Sequence, residues 1–133
     1  MKYMILLYGS QEDYDAMAGK PSNRPAMSQD EVAAMHAHMV KVNDALVESG
    51  EHVFAGGLTA PAQARRVRLR TGSAVVTDGP YPESQEVLAG FNVVECDSIE
   101  RATEIAARFV DPTTEGAYVD IRPMVDGFED LET

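Results

Sequence analysis

Three carboxylates and a phenol crowd one short run of the chain, Asp78-Gly79-Pro80-Tyr81-Pro82-Glu83-Ser84-Gln85-Glu86. Carboxylates that share a site or leave water hold protons more tightly than isolated ones, so Asp78, Glu83 or Glu86 in an apolar cleft could exchange a proton near neutral pH. The Tyr81 hydroxyl is suited to donating to a developing oxyanion. His36 and His38 add imidazole, the side chain best matched to proton transfer in that range. The chemistry on offer is acid–base work on a small molecule, as in a lyase, isomerase or hydrolase without a cofactor. The plain alternative is a well-made loop with solvated acids, the ordinary state of surface Asp and Glu. No nucleophile elbow, P-loop, dinucleotide fingerprint or Cys-rich zinc motif occurs, and no recognised spacing supports a carboxylate–histidine metal site. No cofactor and no metal are therefore expected.

The run lies between two strands. Ala74–Thr77 leads into it and Val87–Cys96 leaves it, with Gly90 marking a bulge or a close approach. Asp-Gly-Pro ends the first strand sharply: Asp bonds its own backbone, Gly accepts positive φ, and Pro fixes φ and removes a donor. Two prolines within three residues stiffen the segment. Acids on a rigid loop between strands are where sheets carry chemistry.

The histidines belong to the clearest element. Ser28 and Glu31 form a capping box, Val32, Met35, Met39, Val42 and Leu46 draw one apolar stripe, and Gly50 ends the helix. At 100° per residue Val40 and Val47 widen the stripe, His36 and Asn43 fall inside it, and His38 falls outside. His36 is then the inward histidine, with the core residue as its plainer reading. A second helix starts at Asp97, with Glu100 as the reciprocal partner, and carries Ile99, Ala102, Ile105, Ala106 and Phe109 to a stop at Asp111-Pro112.

Lys2–Tyr8 reads as a strand buried on both faces. Residues 9–27 show no clear period, with a turn of helix at most over Gln11–Met17; such a long loop is a lid or disordered. Glu51–Thr59 is a strand in which His52 is exposed. In Arg65–Arg70, Val67 and Leu69 face one way and Arg66, Arg68 and Arg70 the other. This is either a charge-guarded sheet edge or an anion-binding wall. Thr71-Gly72-Ser73 turns the chain back, and Ala117–Met124 is the last strand. The order is β-α-β-β-α-β with an inserted hairpin, an α+β ferredoxin-like arrangement over residues 1–125, followed by an acidic tail at 126–133. Two helices cover one face of such a sheet, so a second copy is expected on the other, in a homodimer.

Composition sets the outer bounds. The 133 residues carry a net charge of −11, which opposes nucleic acid and anionic membranes as partners. The single cysteine, Cys96, cannot form an internal disulfide and reads as a small buried hydrophobe, consistent with a cytoplasmic protein. The apolar run Tyr3–Tyr8 is too short for a membrane span.

The run from Asp78 to Glu86 resembles the signature of YCII-related proteins of the DGPF type, typically D-G-P-F-x-E-x-K-E, and the likeness extends from Lys2–Tyr8 to Val119-Asp120-Ile121-Arg122-Pro123. Tyr81 stands where Phe is usual, and Gln85 where Lys is usual. The resemblance implies a ferredoxin-like subunit forming a dimeric α/β barrel. It also implies a His–Asp pair from the first helix region and the sheet: His36 with Asp78, His38 in reserve. Tyr81, Glu83 and Glu86 would then bind the substrate. A second function follows from the same likeness: a non-catalytic binding or regulatory module, accessory to an alternative sigma factor.

Overall fold

The computed structural model describes residues 1–131; the end of the acidic tail, residues 132 and 133, lies outside them. The chain is α+β, in the order β1 (Lys2–Gly9), α1 (Gln11–Met17), α2 (Gln29–Ser49), β2 (His52–Gly57), β3 (Arg65–Arg70), β4 (Ser73–Asp78), β5 (Val87–Glu95), α3 (Ile99–Ala107) and β6 (Asp120–Pro123), with 3-10 turns at Pro61–Gln63 and Phe128–Asp130. One sheet has the strand order β2-β5-β1-β6, and β3 and β4 form a separate hairpin. β6 runs antiparallel to β1, from Tyr3 opposite Pro123 to Leu6 opposite Asp120. β2 runs against β5, bracketed by bonds from the Glu95 N–H to the Glu51 carbonyl (2.9 Å) and from the Leu58 N–H to the Ala89 carbonyl (2.8 Å). β2 and β6 are edges, so the sheet is open and no closed barrel forms among the described residues. The last strand is shorter than its apolar pattern suggests, holding only the residues that pair with β1.

The chain divides into two compact units. One comprises Met1–Leu7, Ala34–Gly56 and the residues from Gly90 on. Its core joins Tyr3 and Ile5 of β1, Val42 and Leu46 of α2, Val94 of β5, Cys96, and Ala102, Ile105, Ala106 and Phe109 from α3 and the turn after it. Moving such side chains out of water contributes about 1.5–3 kcal/mol each for the larger ones. β1 is covered on one face rather than both: Tyr3 and Ile5 are buried, while Met4 and Leu6, on the other side of the pleat, are half-buried. The α2 stripe is also narrower than its periodicity. Val42 and Leu46 are buried, but Met35, Val40 and Val47 are exposed.

Polar ties fix this packing. Asn92 is buried on β5 and donates from Nδ2 to Asn43 Oδ1 at 2.6 Å, and Asn43 donates in turn to the Met39 carbonyl at 2.9 Å. The α3 cap is Ser98, not Asp97: its Oγ accepts the Arg101 N–H at 3.1 Å. The helix ends at Ala107, before Asp111-Pro112; the N–H groups of Arg108 and Phe109 bond back three residues instead of four, tightening the last turn. On the sheet side away from the helices, Phe54 stacks on Phe91 with ring centroids 5.8 Å apart. Gly56 lies under that Phe91 ring, where a Cβ would come within 2.9 Å of Cζ.

The other unit comprises Tyr8–Ala33 and Gly57–Ala89. The Ser28–Glu31 capping box is present, with both reciprocal bonds at 3.1 Å. Gln11–Met17 is a true helix of seven residues rather than a single turn. Ser10 accepts the Asp13 N–H through Oγ, and the Asp13 carboxylate accepts the Ser10 N–H. The chain after it is neither loose nor without partners. Met27 donates its N–H to the Ala16 carbonyl at 2.9 Å, Asn23 donates to Glu12 at 3.1 Å, and Arg24 pairs with Asp13. Thr71 and Gly72 turn the hairpin with φ of 48° and 80°. Positive φ at both central residues is the twist-matched two-residue turn, unusual for a β-branched residue at the first.

The strongest charge pair belongs to the first unit. Arg101 donates to both oxygens of Glu51 at 2.8 Å, and the Ser49 hydroxyl donates to the same carboxylate at 2.8 Å. The Arg101 hydrogen bonds chiefly, against the opposing effect of burial, hold Glu51 down at about 2 from an ordinary 4.5. A depressed carboxylate contributes stability that is complete above its ordinary value and lost as pH falls through its folded one. The melting-temperature gap between wild type and Glu51→Gln should therefore be widest at neutral pH and close between about 4.5 and about 2. Melts across that range at fixed ionic strength check this; a gap independent of pH would refute it.

Candidate functional site

The 79–86 loop is fixed by backbone bonds at several points. Gly79 turns out of β4 with φ of +53° and donates its N–H to the Ala64 carbonyl at 2.8 Å. The Gln85 N–H closes a turn on the Pro82 carbonyl at 3.1 Å. Glu83 accepts the Glu12 N–H through its carbonyl at 3.2 Å, satisfying one of the donors that the first turn of α1 leaves open. Helix α1 makes further anchors. Gln11 Oε1 accepts the Ala62 N–H at 2.8 Å, and the Tyr14 hydroxyl donates to the Leu58 carbonyl at 2.8 Å. Burial raises the Tyr14 phenol above its ordinary pKa.

The loop side chains are presented differently. Asp78 sits opposite Arg65 in the hairpin register, and its carboxylate lies 3.2 Å from Arg65 Nε. Both side chains are largely exposed, Asp78 by 79%, so this pair contributes about 0–1 kcal/mol. Tyr81 is half-buried, with the Arg66 guanidinium 5.2 Å from its ring centroid. Such a cation–π pair adds about 0.5–1 kcal/mol and leaves the hydroxyl free of that contact. Glu83 and Glu86 are exposed. Asp78, Tyr81, Glu83 and Glu86 thus lie on one pinned segment of one unit, as their spacing predicts.

The histidines lie on α2 in the other unit. His36 is exposed rather than inward; the polar residue of that helix that does reach the core is Asn43. His38 has a structural partner, its Nε2 lying 2.7 Å from the Arg108 carbonyl at the end of α3. His52 is half-buried instead of exposed, and its Nδ1 is a buried ring nitrogen without a partner among the described residues. It borders an open hollow of about 490 Å³ with Met1, Gly50, Val53, Glu95, Cys96 and Asp97. None of the loop acids, Tyr81, His36 or His38 lines that hollow. Among the described residues, no group of three or more His, Cys, Asp or Glu side chains is arranged to hold a metal ion.

Three contributors escape a reading of motifs alone. Arg65 engages Asp78, Arg66 covers Tyr81, and Tyr14 anchors α1 to the strand ends. The first two were visible as a run of arginines but not as partners of the loop. Tyr14 carries no local signal, because its acceptors are main-chain carbonyls 44 and 75 residues away.

The YCII-related domain family matches residues 1–126. Among curated proteins, an uncharacterised protein, R00369 of Rhizobium meliloti (strain 1021), is 28% identical over 126 residues, covering 93% of this chain and 92% of that protein. No helix among the described residues is long and apolar enough to cross a membrane.

The turn at Gly79 can be tested directly. A Cβ there would meet only the Ala62 carbonyl oxygen at 3.5 Å, an ordinary contact, so the cost of a side chain is conformational. Gly79→Ala should destabilise by about 1–2 kcal/mol and Gly79→Asn by less, since Asn enters left-handed backbone more readily. Urea unfolding of the two variants measures this; equal stability to wild type would show that the turn does not need its positive φ.

Proposed function

Because the chain belongs to the YCII-related domain family, we propose that it is a cytoplasmic homodimer of the DGPF type that binds a small molecule at a site of acid–base character. Asp78 and His36 are the proton-handling pair, with His38 in reserve, and Tyr81, Glu83 and Glu86 bind the ligand. The observation that carries the reading is the pinned 79–86 segment. Its backbone bonds to Ala64 and to Glu12 fix the main chain from which Tyr81, Glu83 and Glu86 project, and polar groups on an ordered loop between strands are suited to recognition. No cofactor or metal is assigned to it. The strand order β2-β5-β1-β6, with β1 and β5 central, supports a ferredoxin-like subunit. The sheet face bearing Phe54, 54% exposed and stacked on Phe91, supports a second copy as its cover and hence a dimeric α/β barrel. The domain is taken as residues 1–125 with 126–133 as an acidic tail, and the net charge of −11 argues against nucleic acid and membrane partners.

One observation favours a second reading. Asp78 already has an arginine partner on its own hairpin, as a carboxylate in a non-catalytic binding or regulatory module would. In that reading the protein is accessory to another factor, such as an alternative sigma factor, and turns nothing over.

A thermal-shift screen of small metabolites against wild type and Asp78→Asn separates these. The exposed Arg65 pair is worth little, so the variant should melt within about 1 kcal/mol of wild type in the absence of ligand. A compound that stabilises wild type and not the variant supports the small-molecule site, and its chemical change on incubation supports catalysis. Equal stabilisation of both proteins would remove Asp78 from the site.

A further inference from the structure

The β3–β4 hairpin is exposed over nearly its whole length; Arg66 alone of its strand residues is half-buried. A two-stranded hairpin without a packed face is marginal in water. Its register nevertheless separates most of its side chains by character, with the Arg65–Asp78 pair at one end of the apolar face and Val75 opposite Arg68 on the other. Val67 opposes Val76 and Leu69 opposes Ala74, giving one apolar face on which Val67 is 66% and Leu69 75% exposed. Arg66, Arg68 and Arg70 lie on the other face, and among the described residues Arg68 and Arg70 make no ion pair in a chain with 22 acids. A guarded edge ordinarily packs its apolar face on a core, whereas this one is left exposed.

We propose that this hairpin is a docking arm whose partner is the acidic surface of a second copy of this chain. Four arginines against Asp78 give residues 65–78 a net charge of +3, so the other 119 residues carry −14 of the chain's −11 total. Two whole chains repel one another, and this segment is the part of each that reverses the sign. The arginine face supplies electrostatic complementarity to the partner, and the apolar face supplies area to remove from water. The inference rests on the homodimer reading above and adds to it the element that grips.

Sedimentation equilibrium tests it with the full chain. Val67→Ser/Leu69→Ser should weaken self-association by about tenfold or more, and so should Arg68→Glu/Arg70→Glu, which removes no packing within the chain. Wild-type association should also weaken between about 50 mM and about 500 mM salt. Circular dichroism establishes that each variant is folded, and the arginine pair keeps the test open if the apolar pair is not. A dimeric wild type with a folded variant of unchanged association overturns the arm and leaves the dimer standing. A monomeric wild type overturns the dimer itself, and an arm that then binds only a foreign acidic protein overturns the choice of partner.

Discussion

Four side chains without solvent access, Ile5, Leu46, Val94 and Ile105, come one each from β1, α2, β5 and α3. They set the relation of the two long helices to the sheet, since none can be moved without opening a cavity in the packed core. The same constraint decides what is left over. The helices cover one side of β1 and β5; on the other side Met4, Leu6 and Phe91 are only partly covered, Val93 is buried, and Phe54 of the edge strand β2 is exposed beside Phe91. An apolar sheet face of this kind is the physical reason to expect a partner.

The elements were legible wherever local chemistry dictated them. Ser28 and Glu31 are three apart and satisfy one another; Arg65–Arg70 alternates and is a strand; Gly50 takes φ of +81° and ends α2. The YCII-related family was legible too, through a resemblance carried by one continuous run. The departures from sequence expectation have separate causes. Periodicity gives an angle around a helix but not the distance to a neighbour, so His36 fell in the apolar sector and is exposed, while Asn43 in the same sector finds Asn92. Asp97 and Ser98 both suit an N-cap, and only the backbone angle at the start of α3 selects Ser98. Helix α1 carried its own signal in Ser10 and Asp13, hidden by the Gly and Pro residues that follow.

The candidate loop shows why site residues are harder to read than elements. Its acids are visible as letters, but what holds them comes from elsewhere: Glu12 bonds Glu83, Ala64 bonds Gly79, and Arg65 pairs with Asp78. A seven-residue helix is too short to persist on its own. Here its N-terminal donors and side chains are taken up by the turn at 61–63 and by the loop, so helix and loop order one another.

The Asn43–Asn92 contact ties the history of two distant positions together. The buried Asn92 amide is acceptable among apolar neighbours because Asn43 answers it, and without Asn43 it would be stranded, whereas Asn43 is half-buried and keeps its bond to the Met39 carbonyl. Drift at one position is therefore filtered by the letter at the other. Lineages descended from this chain can exchange the pair for two hydrocarbons, or keep both amides, but one that loses Asn43 first has to be rescued by rebuilding the seam between α2 and β5.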